Sequence, residues 1–298
     1  MINFNLCCIS NELAEKGIRF QTITYKRFNQ LGRIQGLQVL SEKILNNVRV
    51  THKIIEHCFK NQWGYRVSSS LFPLITYSKA NVNMVELKDY NQIIDSLAKS
   101  AEFIVKNPLR ISSHPGEFTS IDSDNDELTN RSIVDLELHG WLHDQLGLSQ
   151  DYSNPINIHL KNNKSTFDIV KSNTSKAFAK MSASVRNRIV FENNHNGRWN
   201  TETLLQHYKN ILPITFDNLH DTVNPSRTQK QNFIECIATW TKFKPLFHYS
   251  EGNDKNKRSH RDLPVNNPVN YECDVDYDVE LKGKDAAIRL LTEKMYRT

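Results

Sequence analysis

The sequence lacks the features that mark secreted, disulfide-bonded and membrane-spanning proteins. It has only five cysteines in 298 residues, an odd number, and no Cys-x-x-Cys spacing, which argues against a disulfide framework or a zinc ribbon. No apolar run approaches the ~20 residues needed to cross a bilayer, and no basic and apolar leader opens the chain. We therefore expect reduced thiols and a cytoplasmic protein that does not enter a membrane.

Glycine is absent from the turn directly after the first predicted strand, where a doubly wound open sheet usually has a glycine-rich turn. This absence favours another α/β architecture. Eight strand-like segments occur, at 2–9, 64–70, 108–113, 155–159, 188–191, 212–217, 245–249 and 276–281. Helical patterns lie between them, at 31–60, 91–103, 128–146, 169–185, 201–208 and 229–241, and a last one follows at 284–298. Such alternation indicates parallel βαβ units and predicts a single (β/α)₈ barrel over residues 1–298.

The chain carries no strong excess of charge. Its formal net charge is +5 and its pI is near 8.8, which permits binding to nucleic acid without establishing it. The densest basic patch is at 255–261, and a solvated loop would explain that patch equally well.

Residues 188–195, Arg-Ile-Val-Phe-Glu-Asn-Asn-His, are the most informative stretch. The first four residues are typical of a buried strand, and Asn193 and Asn194 are turn formers. Glu192 is then a carboxylate at the carboxyl-terminal mouth of a buried strand, which is unfavourable unless a partner neutralises it. A metal ion is the partner that we expect.

The same pattern, an apolar strand followed by His, Asp or Glu, recurs along the chain. The residues at or just beyond the strand ends are His114, His159, Glu192, Asp217, His220, His248 and Glu280. In a (β/α)₈ barrel these ends form the active site. Seven groups exceed the needs of one ion, so we expect two or three divalent ions, and mixed imidazole and carboxylate ligands suit Mn²⁺, Zn²⁺, Mg²⁺ or Fe²⁺. Phosphoryl displacement and aldose–ketose isomerisation both stay open.

Eight segments in order resemble the UV damage endonuclease family, which are metal-dependent barrels related to endonuclease IV and xylose isomerase. The segments are Tyr-Arg-Val-Ser-Ser-Ser-Leu-Phe-Pro (65–73), Ser-His-Pro-Gly-Glu-Phe (113–118), Ile-Asn-Ile-His (156–159), Val-Phe-Glu-Asn-Asn (190–194), Phe-Asp-Asn-Leu-His (216–220), Phe-His-Tyr-Ser (247–250), His-Arg-Asp (260–262) and Val-Glu-Leu-Lys-Gly-Lys (279–284). The resemblance implies nicking of duplex DNA directly 5′ of cyclobutane pyrimidine dimers and 6-4 photoproducts, with divalent ions that are commonly manganese.

The resemblance also implies which residues act. The metal ligands are His114, His159, Glu192, Asp217, His220, His248, His260 and Glu280. We expect Glu192 to bridge and to hold the catalytic ion with Asp217, His248 and Glu280, while His114 and His159 hold a second ion and His220 and His260 a third. From the residues alone, His260 could instead belong to a phosphate-facing loop. The candidates for phosphate contacts are Arg66, Lys161, Lys164, Arg198, Lys282 and Lys284, and binding should then weaken steeply with salt.

The sequence departs from the family where substrate would be recognised. The family's Gln-Tyr lesion probe falls on Glu117 and Phe118, and Phe118 could wedge into a duplex or fold onto the rim. A lysine, a histidine and a tyrosine of the family are replaced by Leu246, Tyr77 and Leu6. We expect a monomer that binds damaged double-stranded DNA; a nuclease for abasic or other lesions and a sugar isomerase or epimerase are the alternatives.

Overall fold

The computed structural model describes residues 2–296 and contains the eight predicted strands in one parallel sheet. The strands are β1 (Asn3–Cys7), β2 (Gly64–Val67), β3 (Ile111–Ser113), β4 (Ile156–Ile158), β5 (Ile189–Glu192), β6 (Ile214–Thr215), β7 (Leu246–Tyr249) and β8 (Asp276–Val279). Their order is β6-β5-β4-β3-β2-β1-β8-β7. The two outer strands, β6 and β7, meet at a parallel bridge between Asp217 and His248, which brings the sheet round into a nearly closed barrel. The predicted (β/α)₈ architecture is confirmed.

Helices lie between most of the strands, and several of their bounds differ from the predicted ones. They are α1 (Asn11–Glu15), α2 (Tyr25–Leu31), α3 (Arg33–Lys60), α4 (Tyr90–Lys106), α5 (Asp126–Gln145), α6 (Phe167–Lys180), α7 (Ala183–Arg186), α8 (Thr201–Tyr208), α9 (Asn218–Val223), α10 (Gln229–Thr239) and α11 (Asp285–Tyr296). The predicted helix at 31–60 begins only at Arg33 because Gly32 has φ +73°. The helix predicted at 169–185 is two helices, because Met181 is extended and Ser182 caps α7.

Several predicted ends also differ. Strand β6 is only two residues long, because the Asp217 carboxylate turns to cap α9, where its Oδ1 accepts from the backbone N–H of His220 at 2.7 Å. The last two residues of the helix predicted at 284–298 lie outside the described residues. Between β7 and β8 the described chain has a loop and no helix. Within residues 2–296 no helix is both long and apolar enough to span a membrane.

The barrel interior carries a polar layer beneath the strand ends, where barrels usually hold Val, Ile and Leu. Ser112 on β3 donates to the carboxylate of Asp278 on β8 at 3.0 Å. These strands are not neighbours in the sheet, so this contact crosses the interior. Asn5 on β1 donates to the same carboxylate at 2.8 Å. Side chains two residues apart in a strand share a face, so Ser112 lies below His114 and Asp278 lies below Glu280.

Candidate metal centre

The predicted ligands meet at the carboxyl ends of the strands. Three groups of side chains have ligand atoms within 4.8 Å of one another: His114, His159 and Glu192; Glu192, Asp217 and His220; and Asp217, His248 and Glu280. Adjacent groups share Glu192 or Asp217. The barrel therefore brings together seven of the eight residues that the sequence suggested as ligands, and two carboxylates, Glu192 and Asp217, each belong to two groups.

Glu192 lies at the centre of the cluster, and its side chain is only 1% exposed. Four histidine nitrogens surround its carboxylate: His114 Nε2 at 3.2 Å, His159 Nε2 at 3.6 Å, His220 Nδ1 at 3.1 Å and His248 Nδ1 at 3.1 Å. From below, the Asn157 amide donates to Oε2 of Glu192. Burial raises the pKa of Glu192, but His248 and His159 outweigh burial and hold the pKa well below its usual range. Glu192 is therefore a carboxylate at neutral pH.

The surrounding carboxylates make the centre attractive to cations. Burial lowers the pKa of His220, but Asp217 and Glu192 outweigh it and raise the pKa to about 10. The pKa of His248 rises to about 9, because Glu192 and Glu280 outweigh burial in the same way. In the absence of metal, protons on these two rings balance the negative charge. A divalent ion supplies the same balance when it displaces those protons.

Two buried atoms support a metal centre directly. Oδ2 of Asp217 and Nδ1 of His248 are buried without any hydrogen-bond partner. Buried polar atoms are nearly always paired, and burying an unpaired carboxylate oxygen is unfavourable. Both atoms belong to the group that Asp217 and His248 form with Glu280. Imidazole nitrogen and carboxylate oxygen suit Mn²⁺ or Zn²⁺, so the residues present fit the ions that the sequence predicted.

Other ring nitrogens are already fixed by hydrogen bonds. Nδ1 of His114 lies 2.9 Å from the carbonyl oxygen of Pro115, and Nδ1 of His260 lies 2.9 Å from that of Glu280. A carbonyl oxygen only accepts, so these nitrogens carry the proton and donate. Nδ1 of His159 lies 2.9 Å from Oδ1 of Asn194. In each ring the other nitrogen, Nε2, lies within 3.6 Å of Glu192 or Glu280, and histidines held in this way by Nδ1 usually bind a metal through Nε2.

His260 is the one predicted ligand that lies outside the three groups. Its Nε2 is 3.6 Å from Oε2 of Glu280, whereas His220 is grouped with Glu192 and Asp217. The expected pairing of His220 with His260 in a third ion site stays a prediction. The loop after β7 has no helix to guide it, and the strand pattern could not fix where His260 would lie.

Arg66 is placed differently from the surface arginine that we expected to contact phosphate. It lies inside the barrel, 8% exposed, and its Nη1 donates to Oε1 of Glu280. Burial raises the pKa of Glu280, but Arg66 and His248 outweigh burial and hold the pKa well below its usual range. Arg66 lies on strand β2, and its side chain points into the barrel. No sequence pattern indicated that Glu280 would be its partner.

The predicted DNA contacts lie around the mouth. Phe118 is 83% exposed, so it does not fold onto the rim. Burial lowers the pKa of Lys161, and Glu117 opposes this shift, which places Glu117 near Lys161. Lys282 is exposed, with its Nζ 3.2 Å from Oγ of Ser259. Lys284 is half-buried and has φ +50°.

Asn193, predicted only as a turn former, joins the ends of strands β5 and β6. Its Oδ1 accepts from the Asp217 backbone N–H at 2.7 Å, and its Nδ2 donates to the Asp217 carbonyl at 3.0 Å. Its own carbonyl lies 2.9 Å from Nδ1 of His220. A polar residue directly after a strand-end ligand was the available signal for this role.

A fourth group with suitable spacing, Glu12, His57 and Asp285, lies outside the mouth. Glu12 accepts from Arg289 at 2.8 Å and 3.0 Å. Asp285 accepts from Ser10 at 2.7 Å and lies 2.8 Å from Nε2 of His57. These oxygens already have partners and a guanidinium is adjacent, so the group joins α1, α3 and α11 rather than offering a metal site.

Comparison with known proteins identifies the family. The model of the family described as UV-endonuclease UvdE matches residues 2–297. The chain belongs to the UV-endonuclease family. A UV DNA damage endonuclease of Nostoc sp. is 28% identical over 293 residues, which are 95% of this chain and 87% of that protein. The UV DNA damage endonuclease of Clostridium perfringens is 30% identical over 252 residues, which are 80% of this chain and 60% of that longer protein.

A solved structure agrees with this assignment at the level of the fold. The crystal structure of SacUVDE superposes with a TM-score of 0.82 and 22% identity, and the match covers 100% of this chain and 99% of that one. The eight segments that resembled UV damage endonucleases therefore lie on a shared barrel. In this member of the UV-endonuclease family, the cluster around Glu192 occupies the carboxyl-terminal mouth where barrel enzymes have their active sites.

Proposed function

We propose that this UV-endonuclease hydrolyses a phosphodiester of duplex DNA directly 5′ of UV photoproducts, that is, cyclobutane pyrimidine dimers and 6-4 photoproducts. The product would carry a 3′-hydroxyl from which excision repair can begin. The observation that carries the proposal is the buried Glu192 carboxylate among four imidazoles, with unpaired donor atoms on Asp217 and His248. The two relatives named above are both UV DNA damage endonucleases.

The proposed centre holds two or three divalent ions, with Mn²⁺ expected and Zn²⁺ or Mg²⁺ as alternatives. Glu192 would bridge. Asp217, His248 and Glu280 would hold one ion with it, and His114 and His159 another; His220 and His260 would complete a third site. When bound, clustered ions lower the pKa of water and stabilise both the attacking and the leaving oxygen of an in-line displacement.

The chain's own residues prepare this reaction. Asn157 and Arg66 hold the carboxylates of Glu192 and Glu280 in place from inside the barrel. Phe118, exposed at the rim, would insert as an apolar wedge beside the lesion and unstack the step. Lys282, Lys284 and Lys161 would bind backbone phosphates, which position the duplex without selecting its sequence.

The substitutions at the lesion probe leave the choice of lesion to experiment. A Glu117 carboxylate can only accept hydrogen bonds and repels phosphate, unlike the glutamine that the family resemblance implies at this position. A DNA abasic site, which lacks a base to unstack, is therefore the alternative substrate. We also propose that the protein acts as a monomer in the cytoplasm, and its five free thiols support a reducing compartment.

The test is incision of end-labelled duplexes in Mn²⁺, with one cyclobutane dimer, one 6-4 photoproduct, one abasic site or no lesion. We expect a single nick directly 5′ of each photoproduct, no cut in the undamaged duplex and no activity in EDTA. Cutting of the abasic duplex alone would retain the nuclease and overturn the UV assignment. Absence of cutting in all four duplexes, by protein shown to hold metal, would favour the sugar isomerase or epimerase alternative.

A further inference from the structure

His248 differs from the other ligand histidines in how its ring is held. Its Nδ1 points into the candidate centre, 3.1 Å from Oε2 of Glu192 and 3.4 Å from Oε1 of Glu280, with no hydrogen bond. Its Nε2 lies on the opposite side of the ring, 3.6 Å from Oδ2 of Asp278. His248 and Asp278 are direct partners in the β7–β8 register. The imidazole therefore separates Asp278 from the ligand cluster.

Asp278 is itself held rigidly. Its side chain is 1% exposed, and its two oxygens accept from Nδ2 of Asn5 at 2.8 Å and from Oγ of Ser112 at 3.0 Å. Nη1 of Arg66 lies 3.9 Å from Oδ2 and balances its charge. Partners on three different strands thus fix this carboxylate, and one of its oxygens faces His248.

We propose that Asp278 is the positioning residue for His248. Its carboxylate would accept a hydrogen bond from the Nε2–H of the ring. Nδ1 then keeps its lone pair and is the atom that can bind a metal. The present distance of 3.6 Å is a few tenths of an ångström beyond an N–H···O hydrogen bond, and a small tilt of the ring would close it. This inference rests on the proposed metal centre and adds to it a residue that no sequence pattern indicated.

The chemistry explains why a carboxylate is suited to this position. A carboxylate can only accept, so it admits only the ring form with a proton on Nε2. An amide at the same place could donate to Nε2, which would put the proton on Nδ1 and block the ligand atom. Such outer partners of metal-binding histidines typically affect metal affinity by about 10- to 100-fold.

The experiment is a titration with Mn²⁺ of purified wild type, Asp278→Asn and the matched control Ser112→Ala, with free Mn²⁺ followed by electron paramagnetic resonance. Ser112→Ala removes one hydrogen bond to the Asp278 carboxylate, but it keeps the carboxylate itself and the oxygen that lies beside His248. We expect Asp278→Asn to weaken one class of Mn²⁺ site by about 10- to 100-fold and the control by less than about threefold. Melting curves in EDTA report whether each variant is folded.

The outcomes are distinct. Wild-type Mn²⁺ affinity in folded Asp278→Asn would overturn this inference and leave the proposed function intact. A wild-type protein that binds no Mn²⁺ or Zn²⁺ would overturn both. If Asp278→Asn does not fold, ¹⁵N NMR of histidine-labelled wild type loaded with Zn²⁺ decides the matter. A protonated Nε2 on His248 supports the inference, and a metal-bound Nε2 overturns it.

Discussion

Asp217 and His248 form the seam of the barrel and belong to its candidate metal centre at the same time. They make the isolated bridge by which β6 meets β7, and the His248 backbone N–H donates to the Phe216 carbonyl at 3.0 Å. Their side chains belong to one ligand group with Glu280. Strand β6 is the shortest of the eight strands, and it lies at the seam where bound ions would join the two edges of the sheet.

Metal should therefore stabilise the barrel. Ions at 100 times their Kd raise the free energy of unfolding by about 2.7 kcal/mol, which corresponds to an increase in Tm of about 5 °C. We expect melting curves to show this increase in Tm on addition of Mn²⁺ and its loss in EDTA. Amide hydrogen exchange should slow most at residues 214–217 and 246–249 when Mn²⁺ is added. Glu12→Gln, in the group that Glu12 forms with His57 and Asp285, is the control, and Mn²⁺ should raise its Tm by the same amount as in wild type. An equal Tm of wild type with and without Mn²⁺ would contradict the account.

Phe118 should be needed for damaged DNA but not for metal. Its exposed ring has no role in the core, so Phe118→Ala should leave Tm and Mn²⁺ affinity unchanged. Loss of the wedge should lower kcat/KM on a dimer-containing duplex by about 10- to 100-fold, because unstacking a base step requires a few kcal/mol. Val105→Ala is the control, because Val105 is also an exposed apolar residue but lies on helix α4. Equal kcat/KM in the two variants would count against the wedge.

Lys282 should contribute one phosphate contact. Removing one such contact reduces the slope of log K against log salt concentration by about 0.9, so Lys282→Ala should show this reduction on damaged and undamaged duplexes alike. Lys106→Ala is the matched control, because Lys106 is exposed and ends α4 just before β3, at the opposite end of the barrel. Fluorescence anisotropy over a salt series measures the slopes, and an unchanged slope for Lys282→Ala would exclude the contact.

His143 should make the fold sensitive to mild acid. Burial lowers the pKa of His143 well below its ordinary value, and Arg188 lowers it further; its Nε2 meets Ser113 Oγ at 3.1 Å. Below pH ~6.5 this histidine is protonated in the unfolded chain but not in the folded protein. The free energy of unfolding therefore falls as pH falls below that value, by up to about 1.4 kcal/mol per pH unit. His143→Gln should show a shallower decline between pH 7 and 5 in urea unfolding. A slope equal to that of wild type would assign the acid sensitivity to other groups.

The barrel and the clustering of its strand-end side chains could be predicted because they follow from local patterns. Strand segments such as 188–191 are short and apolar, and Glu192 directly after one of them places a charge where only a partner could compensate it. Helix boundaries were harder, since Gly32 is the second residue of the helical pattern predicted at 31–60. Its positive φ depends on how α2 packs against α3.

Contacts across the barrel interior could not be predicted from the sequence. Asp278 has the same spacing to Glu280 as any inward residue of a strand, and nothing local shows that Asn5 and Ser112 will reach it. Arg66 was predicted to bind phosphate because a basic residue near a mouth commonly does so, yet Glu280 is its partner. His260 lies in a long loop, where no periodicity fixes position. The single-domain organisation and the monomeric state stay predictions.

The most direct test of the metal centre is the Glu192→Gln variant, assayed together for bound metal and for incision of a duplex with one cyclobutane dimer. The change is isosteric, and it removes the charge that all four imidazoles share. We predict loss of at least one ion per chain and a fall in incision of roughly 1000-fold or more, because the ions contribute several kcal/mol to the transition state. Tm in EDTA should stay within a few degrees of the wild-type value. Incision at the wild-type rate by this variant would contradict the account.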